Sequence, residues 1–231
     1  MAYRVAKRFF DIFFSLLGLI ATSLIWIVAI VGIEISDPGP IFYVAKRVGK
    51  DNRVFKMYKF RSMRVAREAN EKKFKADEDR IFPFGRFIRA SKIDELPQLL
   101  NILLGTMSIV GPRPASVDQV DVVRAGEYGV ASNVTAGLTG PSALYDYIYG
   151  DTIEDESEYE EKVLPTRLKL DVYYVNNMSL WYDVKMIWYT VVCIFAEIFG
   201  KSTPKIYHEL TSAVVVYETK NKENAEEKVS L

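Results

Sequence analysis

The sequence predicts a mostly helical α+β chain: an N-terminal membrane-associated helix, then a compact domain with a small β-hairpin and amphipathic, interface-lying helices. Three observations predict it. Residues 12–33 (IFFSLLGLIATSLIWIVAIVGI) carry no charge. A Pro/Gly-dense stretch then leads into two short β-prone runs around Gly49-Lys50-Asp51-Asn52, and later segments alternate apolar stripes with turn formers. At 231 residues, 49% hydrophobic and 26% charged, the chain is too apolar for disorder and too charged for a polytopic membrane protein. Thirty basic residues balance thirty acidic ones, which argues against a dedicated nucleic-acid binder. One cysteine and one histidine exclude a disulfide framework and cysteine-rich zinc sites, so chemistry falls to carboxylates, Lys, Arg and hydroxyls.

Residues 12–33 would span roughly 33 Å as a helix, about the thickness of a bilayer core. Basic residues flank both sides: Arg4, Lys7 and Arg8 before, and Lys46 through Arg64 after. A single span keeps its positive flank cytoplasmic, whereas a re-entrant helix puts both flanks there, so the charge pattern leans to the re-entrant path and leaves a span open. Thr22 and Ser23 stand where a bend would need backbone groups satisfied. No small-residue cleavage site follows, which argues against a signal peptide.

Ser36-Asp37-Pro38-Gly39-Pro40 should end the helix, and residues 41–45 and 53–60 should pair as a hairpin. Its second strand interleaves Lys56, Lys59, Arg61 and Arg64 with aromatics, suiting either anionic lipid headgroups or a phosphorylated substrate. Residues 64–80 read as a solvated helix and loop. In Ser91-Lys92-Ile93-Asp94-Glu95-Leu96-Pro97-Gln98, Pro97 belongs in a first helical turn, which puts Asp94 and Glu95 at a helix start above a stripe of Leu96, Leu99, Leu100 and Leu103. The carboxylates are either caps or, among Arg86, Arg89 and Lys92, ligands for Mg2+ and a diphosphate. Gly111-Pro112-Arg113-Pro114 frames one arginine rigidly, as either an ordinary turn or an anion site. Tyr145, Tyr147 and Tyr149 could stack on a base or sugar or simply pack. The acidic run 151–161 reads as solvated, residues 186–199 as a packed or interface-lying helix, and 219–231 as a disordered tail.

These segments together resemble the bacterial polyprenyl-phosphate phosphoglycosyl transferases of the small monotopic type, which start capsule, exopolysaccharide and glycoprotein glycan assembly. The resemblance runs over roughly residues 3–195, through KRFFDIFFSLLGLI, DPGPIFYVAKRVGK, FKMYKFRSM, GRFIRASKIDELPQLLNILLGTMSIVGPRP, AGLTG and LDVYYVNNMSLWYDVKMI. It implies transfer of a sugar-1-phosphate from a UDP-sugar to undecaprenyl phosphate with release of UMP, at the cytoplasmic face of the bacterial cell membrane. Asp94 matches the family nucleophile, which forms an aspartyl-phosphosugar, and Glu95 matches the carboxylate that with Asp94 handles Mg2+. Lys59, Arg89 and Arg113 match anion-contact positions. The resemblance also implies a re-entrant helix over 1–36, a catalytic domain over 37–205 and a tail over 206–231.

Two departures stand out. Ser23-Leu24 replaces a Ser-Pro pair common at the helix break, and GLTGPSALYDYIYGD replaces a loop with a Gln and an Arg-Asn pair, so sugar specificity does not carry over. A catalytically silent membrane scaffold is the competing class, and the sequence leaves open whether the chain forms a homodimer.

Overall fold

The computed structural model describes residues 2–65 and 78–229. The expected helix and loop over 64–80 therefore falls largely outside the described residues. Two N-terminal helices, α1 (Ala2–Ala21) and α2 (Ser23–Ser36), meet at Thr22, where the axis bends by 59°. Thr22 Oγ1 donates to Gly18 O at 2.7 Å, the back-bonding expected of a bend without proline. Among the described residues no single helix is long and apolar enough to cross a membrane, while this bent pair together meets that measure.

The hairpin forms as β1 (Phe42–Val48) and β2 (Val54–Phe60), antiparallel, with Tyr43 opposite Lys59 and Val48 opposite Val54. Helix α3 (Pro83–Ala90) follows, then a 3₁₀ turn Ile93–Glu95 and α4 (Gln98–Leu104). Strand β3 (Ser108–Val110) leads through Gly111–Pro114 to β4 (Ala115–Ser116), which adds antiparallel to the free edge of β1. The short helix α5 (Val120–Val123) precedes β5 (Gly137–Thr139), which pairs parallel with β3. Helices α6 (Pro141–Ile148), α7 (Glu156–Glu158), α8 (Leu164–Asn176), α9 (Leu180–Ile198) and α10 (Pro204–Val229) complete the chain.

Three apolar clusters hold these elements. The largest joins α6, α8, α9 and α10 around Leu144, Leu170, Tyr174, Met186 and Leu210. A second seats α2 on β2 and α3 through Ala29, Ile33, Phe60, Phe82 and Ile88. The third packs α4 under the hairpin through Met57, Leu99 and Ile102. Leu99 is buried as expected, but Ile102, outside the expected stripe, is fully buried while Leu96, Leu100 and Leu103 are only partly so. The 3₁₀ turn rotates the face of this short helix relative to a stripe counted straight through Pro97.

The expectation for the C-terminus needs correction. Residues read as a tail are helical through Val229, and Ile206, Leu210, Val214 and Tyr217 are buried against the α6–α8–α9 layer. Their apolar spacing is diluted by neighbouring charges, and only the packed partner layer makes it a core face. The acidic run contains α7, capped by Asp155 Oδ1 accepting from Glu158 N at 2.8 Å, and places Tyr159 in the core.

Buried polar contacts tie α1 to the rest. Arg8 donates to Ile102 O at 2.6 Å and Leu103 O at 2.8 Å, satisfying carbonyls at the end of α4. Asp11 Oδ1 accepts from Ser108 Oγ and Ile109 N, both at 3.0 Å. Asp183, fully buried on α9, accepts from Lys7 Nζ (2.9 Å), Tyr3 Oη (3.1 Å) and Tyr174 Oη (2.7 Å).

Candidate active site

Asp94 and Glu95 sit on the 3₁₀ turn between α3 and α4. Lys92 opens that turn with φ of 55°, a left-handed conformation that β-carbon sterics disfavour and the surrounding contacts maintain. Among the described residues neither carboxylate accepts a hydrogen bond from a helix N–H, and the α4 N-cap position is Pro97. The capping role that sequence alone allowed is therefore absent.

Asn101 fixes where the turn lies. Its side chain is buried, accepts from Tyr58 N at 2.9 Å and donates to Lys56 O at 2.7 Å, so it bonds α4 to β2 as a strand residue would. With β2 held there, Lys59 Nζ donates to Glu95 Oε1 at 2.9 Å.

The two adjacent carboxylates are in opposite electrostatic states. Asp94 is 5% exposed, and no described residue hydrogen-bonds its carboxylate. Burial pushes it up to about 6, reinforced by Glu95 and resisted by Lys59, Arg89 and Lys92. Burial would raise Glu95 too, but Lys59, Lys92 and Arg113 outweigh it and hold that carboxyl at about 2. Glu95 is thus held ionised by cations through a bond at Oε1, while its neighbour is buried and accepts no hydrogen bond from a described residue, so their environments push the two acids apart.

The predicted site residues converge. Lys59, Arg89 and Lys92 act on Asp94, and Arg113 acts on Glu95. Arg89, in the last turn of α3, has Nη1 4.0 Å from Met63 Sδ. Arg86 is exposed. Arg113 is positioned by its backbone: its N–H donates to Asp171 Oδ1 at 3.2 Å, and its carbonyl accepts from Arg124 Nη2 at 3.2 Å. Gly111, two residues before it, is needed because a Cβ there would come 2.5 Å from Thr135 O and 2.8 Å from Gly137 N.

Sequence reasoning missed Asp146. It is buried on α6, lies 3.2 Å from Arg113 Nη1, and accepts from Tyr159 Oη at 2.6 Å; Arg167 lies 3.8 Å away. Burial alone would raise its carboxyl, yet Arg113 and Arg167 hold it below the ordinary range. Its signal was a lone acid in the apolar, tyrosine-rich stretch SALYDYIYG. Of the three tyrosines there, Tyr145 is core, its ring stacked on Tyr207 with centroids 5.8 Å apart, and Tyr149 packs beside it. Tyr147 instead lies under Lys92, whose Nζ is 4.1 Å from its ring centre.

Lys92, Glu95 and Arg113 line a cleft of about 270 Å³ together with residues of α6 and α9. Two cations therefore stand with a cation-paired carboxylate and a buried, uncapped neighbour, a charge pattern chemically able to receive anionic oxygens. Among the described residues no three acidic, His or Cys side chains cluster as a metal cage.

The bacterial sugar transferase family profile matches residues 2–197. The galactosyl transferase CpsE of Streptococcus agalactiae serotype III is 37% identical over 202 residues, covering 82% of this chain and 42% of its own length. The UDP-N-acetylgalactosamine-undecaprenyl-phosphate N-acetylgalactosaminephosphotransferase of Aeromonas hydrophila is 36% identical over 195 residues, with 82% and 43% covered. The exopolysaccharide production protein PSS of Rhizobium leguminosarum bv. phaseoli is 35% identical over 202 residues, with 81% and 94% covered. The chain thus spans about two fifths of the first two relatives and nearly all of the third. With the match running from α1 through α9 and including the carboxylate turn, the chain belongs to the bacterial sugar transferase family.

Proposed function

We propose that this chain transfers a sugar-1-phosphate from a UDP-sugar to undecaprenyl phosphate, giving undecaprenyl diphosphate sugar and UMP, as the first membrane step of exopolysaccharide, capsule or glycoconjugate assembly. The observation that carries this reading is the buried, unbonded Asp94 carboxylate beside the Lys59–Glu95 pair. Relatives bear names consistent with it, including the undecaprenyl-phosphate phosphotransferase of Aeromonas hydrophila.

In the proposed reaction an Asp94 oxygen attacks the sugar-bearing phosphorus, the bond to UMP breaks, and an aspartyl-phosphosugar remains. A phosphate oxygen of the polyprenyl phosphate then attacks the same phosphorus and expels Asp94. Burial serves both steps, since a nearly dry acyl phosphate is protected from hydrolysis. Arg113 and Lys92 would hold anionic oxygens at the cleft, with Lys59 and Arg89 beside the turn.

The carboxylates also suit Mg2+, which usually takes one or two carboxylates and completes its shell with water and substrate phosphates. Asp94 and Glu95, whose Oε1 accepts from Lys59, would hold the ion. When bound, Mg2+ would offset charge on the diphosphate and the departing UMP.

The bent α1–α2 pair would enter the membrane and return to the cytoplasmic face, placing a soluble donor and a lipid acceptor at one site. The basic flanks and the packing of α2 back onto β2 and α3 support that path. On α9 the exposed Trp181, Val184, Trp188, Val191, Phe195 and Ile198 form a continuous apolar stripe suited to the headgroup region.

The test is UMP release from a panel of UDP-sugars by nanodisc-held protein with Mg2+, with and without undecaprenyl phosphate. Wild type should turn over only with lipid. Asp94→Asn should fold and lose at least about a thousandfold, roughly 4 kcal/mol of transition-state stabilisation. Near-normal turnover in that variant would sink the covalent route.

A further inference from the structure

The cleft lined by α6 and α9 has both charged and apolar walls. Glu95, Lys92 and Arg113 line it together with Asp151, Tyr147 and Asp146, which contact those two cations, and the remaining walls include Leu138, Leu144, Ile187, Val191 and Ile194. Hydroxyls do line this apolar part, from Thr139 and Thr190, but their oxygens lie 2.6 Å apart and bond one another; Thr190 Oγ1 also reaches Met186 O at 2.8 Å. Asp146 and Asp151, which also line the cleft, are paired with Arg113 and Lys92, which leaves the buried Tyr147 Oη as an unpartnered hydroxyl there; a sugar or nucleobase brings many donors and acceptors and finds few partners, whereas hydrocarbon needs none. The cleft also opens toward the apolar surface: Val191 lines it and is 39% exposed within the stripe of α9.

We propose that this slot holds the first isoprene units of the acceptor polyprenyl phosphate. The lipid phosphate lies against Lys92 and Arg113, and the chain leaves along α9 into the bilayer. Charge fits this orientation. Asp146 is bound to Arg113 and Glu95 to Lys59, while Asp151 faces Lys92 at 3.5 Å in a solvent-exposed pair that an incoming phosphate displaces. The proposal rests on the reading of the chain as a sugar-1-phosphate transferase to a lipid phosphate, and it assigns acceptor recognition to α6 and α9 rather than to the α1–α2 pair.

The test uses the full chain in nanodiscs and a polyprenyl phosphate with a photoreactive diazirine on its first isoprene units. Labelled peptides should map to α6 and α9, around residues 143–147 and 187–194, and labelling should be competed by undecaprenyl phosphate. Ala143→Phe, which adds bulk to the slot, should raise KM for undecaprenyl phosphate at least tenfold more than KM for the UDP-sugar. Label confined to α1 and α2 would overturn the proposal, as would an Ala143→Phe effect falling mainly on the UDP-sugar, which would make the slot a donor site. If wild type released no UMP from any donor while label still mapped to α6 and α9, the transferase reading would fail and the lipid slot would stand.

Discussion

Asp94 is the residue at which stability and chemistry oppose each other. Its carboxyl titrates near 6 instead of 3.8, so the fold favours the protonated form. Stability from this group is complete below the unfolded value and is lost as pH rises through about 6. At pH 7.5 the ionised carboxylate works against the fold, and Asp94→Asn should be more stable than wild type by on the order of 2 kcal/mol, seen as a higher thermal midpoint. That advantage should vanish below about pH 4, and equal thermal midpoints at both pH values would refute the burial argument. Activity carries the opposite sign. In the proposed reaction the carboxylate is the attacking form, so log(kcat/KM) for the UDP-sugar should rise with pH as Asp94 ionises and then level off, with bound Mg2+ drawing the inflection below the metal-free value of about 6. Glu95, held at about 2, stays charged throughout this range. Because Lys59 is the strongest cation acting on Asp94, Lys59→Met should move the inflection upward; a pH–rate series on the two proteins reads both effects.

At the scale of elements, short pieces are placed by a few buried polar bonds. Helix α4 is only seven residues long, and an isolated helix of that length is unstable in water. Asn101 holds it by bonding two backbone groups of β2. Asn101→Ala would leave Tyr58 N and Lys56 O without these partners, at a cost of about 2–3 kcal/mol. It would also loosen the Lys59–Glu95 contact, so denaturant unfolding should show the stability loss and UMP release should fall beyond what the unfolded fraction explains. The β3–β5 pairing is built differently, on backbone proximity at Gly111 and Gly137 that no larger residue permits. Arg113 leaves that pairing two residues after Gly111, which explains how a half-exposed side chain keeps a defined direction.

For the whole molecule, the question is how an apolar helix pair relates to a charged domain. The first turns of α1 are fastened by Lys7, Arg8 and Asp11 to α9, α4 and β3, and the far end of α2 is fastened to β2 and α3. Both ends of the pair therefore meet the same domain, which is the geometry of the proposed re-entrant path. Single cysteines introduced at Arg4 and at Lys46, in a Cys193→Ser background, should react with a membrane-impermeant maleimide from the cytoplasmic side only. Labelling of the two positions from opposite sides would make the pair a span.

Much of the local structure around the candidate site was legible in the sequence because it depends on neighbouring residues. Pro97 set the carboxylates at a helix start, Thr22 stood at the bend, and the hairpin turn and basic β2 followed from neighbouring residues. The family resemblance implied roles for Asp94, Glu95, Lys59, Arg89 and Arg113 where spacing left cap, turn and ligand open. What only the tertiary structure decided came from contacts between distant segments: Asp146 against Arg113, Asn101 on β2, Asp183 under Lys7, and α10 in the core. Burial and pairing set whether a carboxylate caps, binds or attacks, and both depend on which surfaces meet across the fold. Local pattern determines which elements form, while the splitting of Asp94 from Glu95 arises only when β2, α3 and the turn between α3 and α4 are brought together.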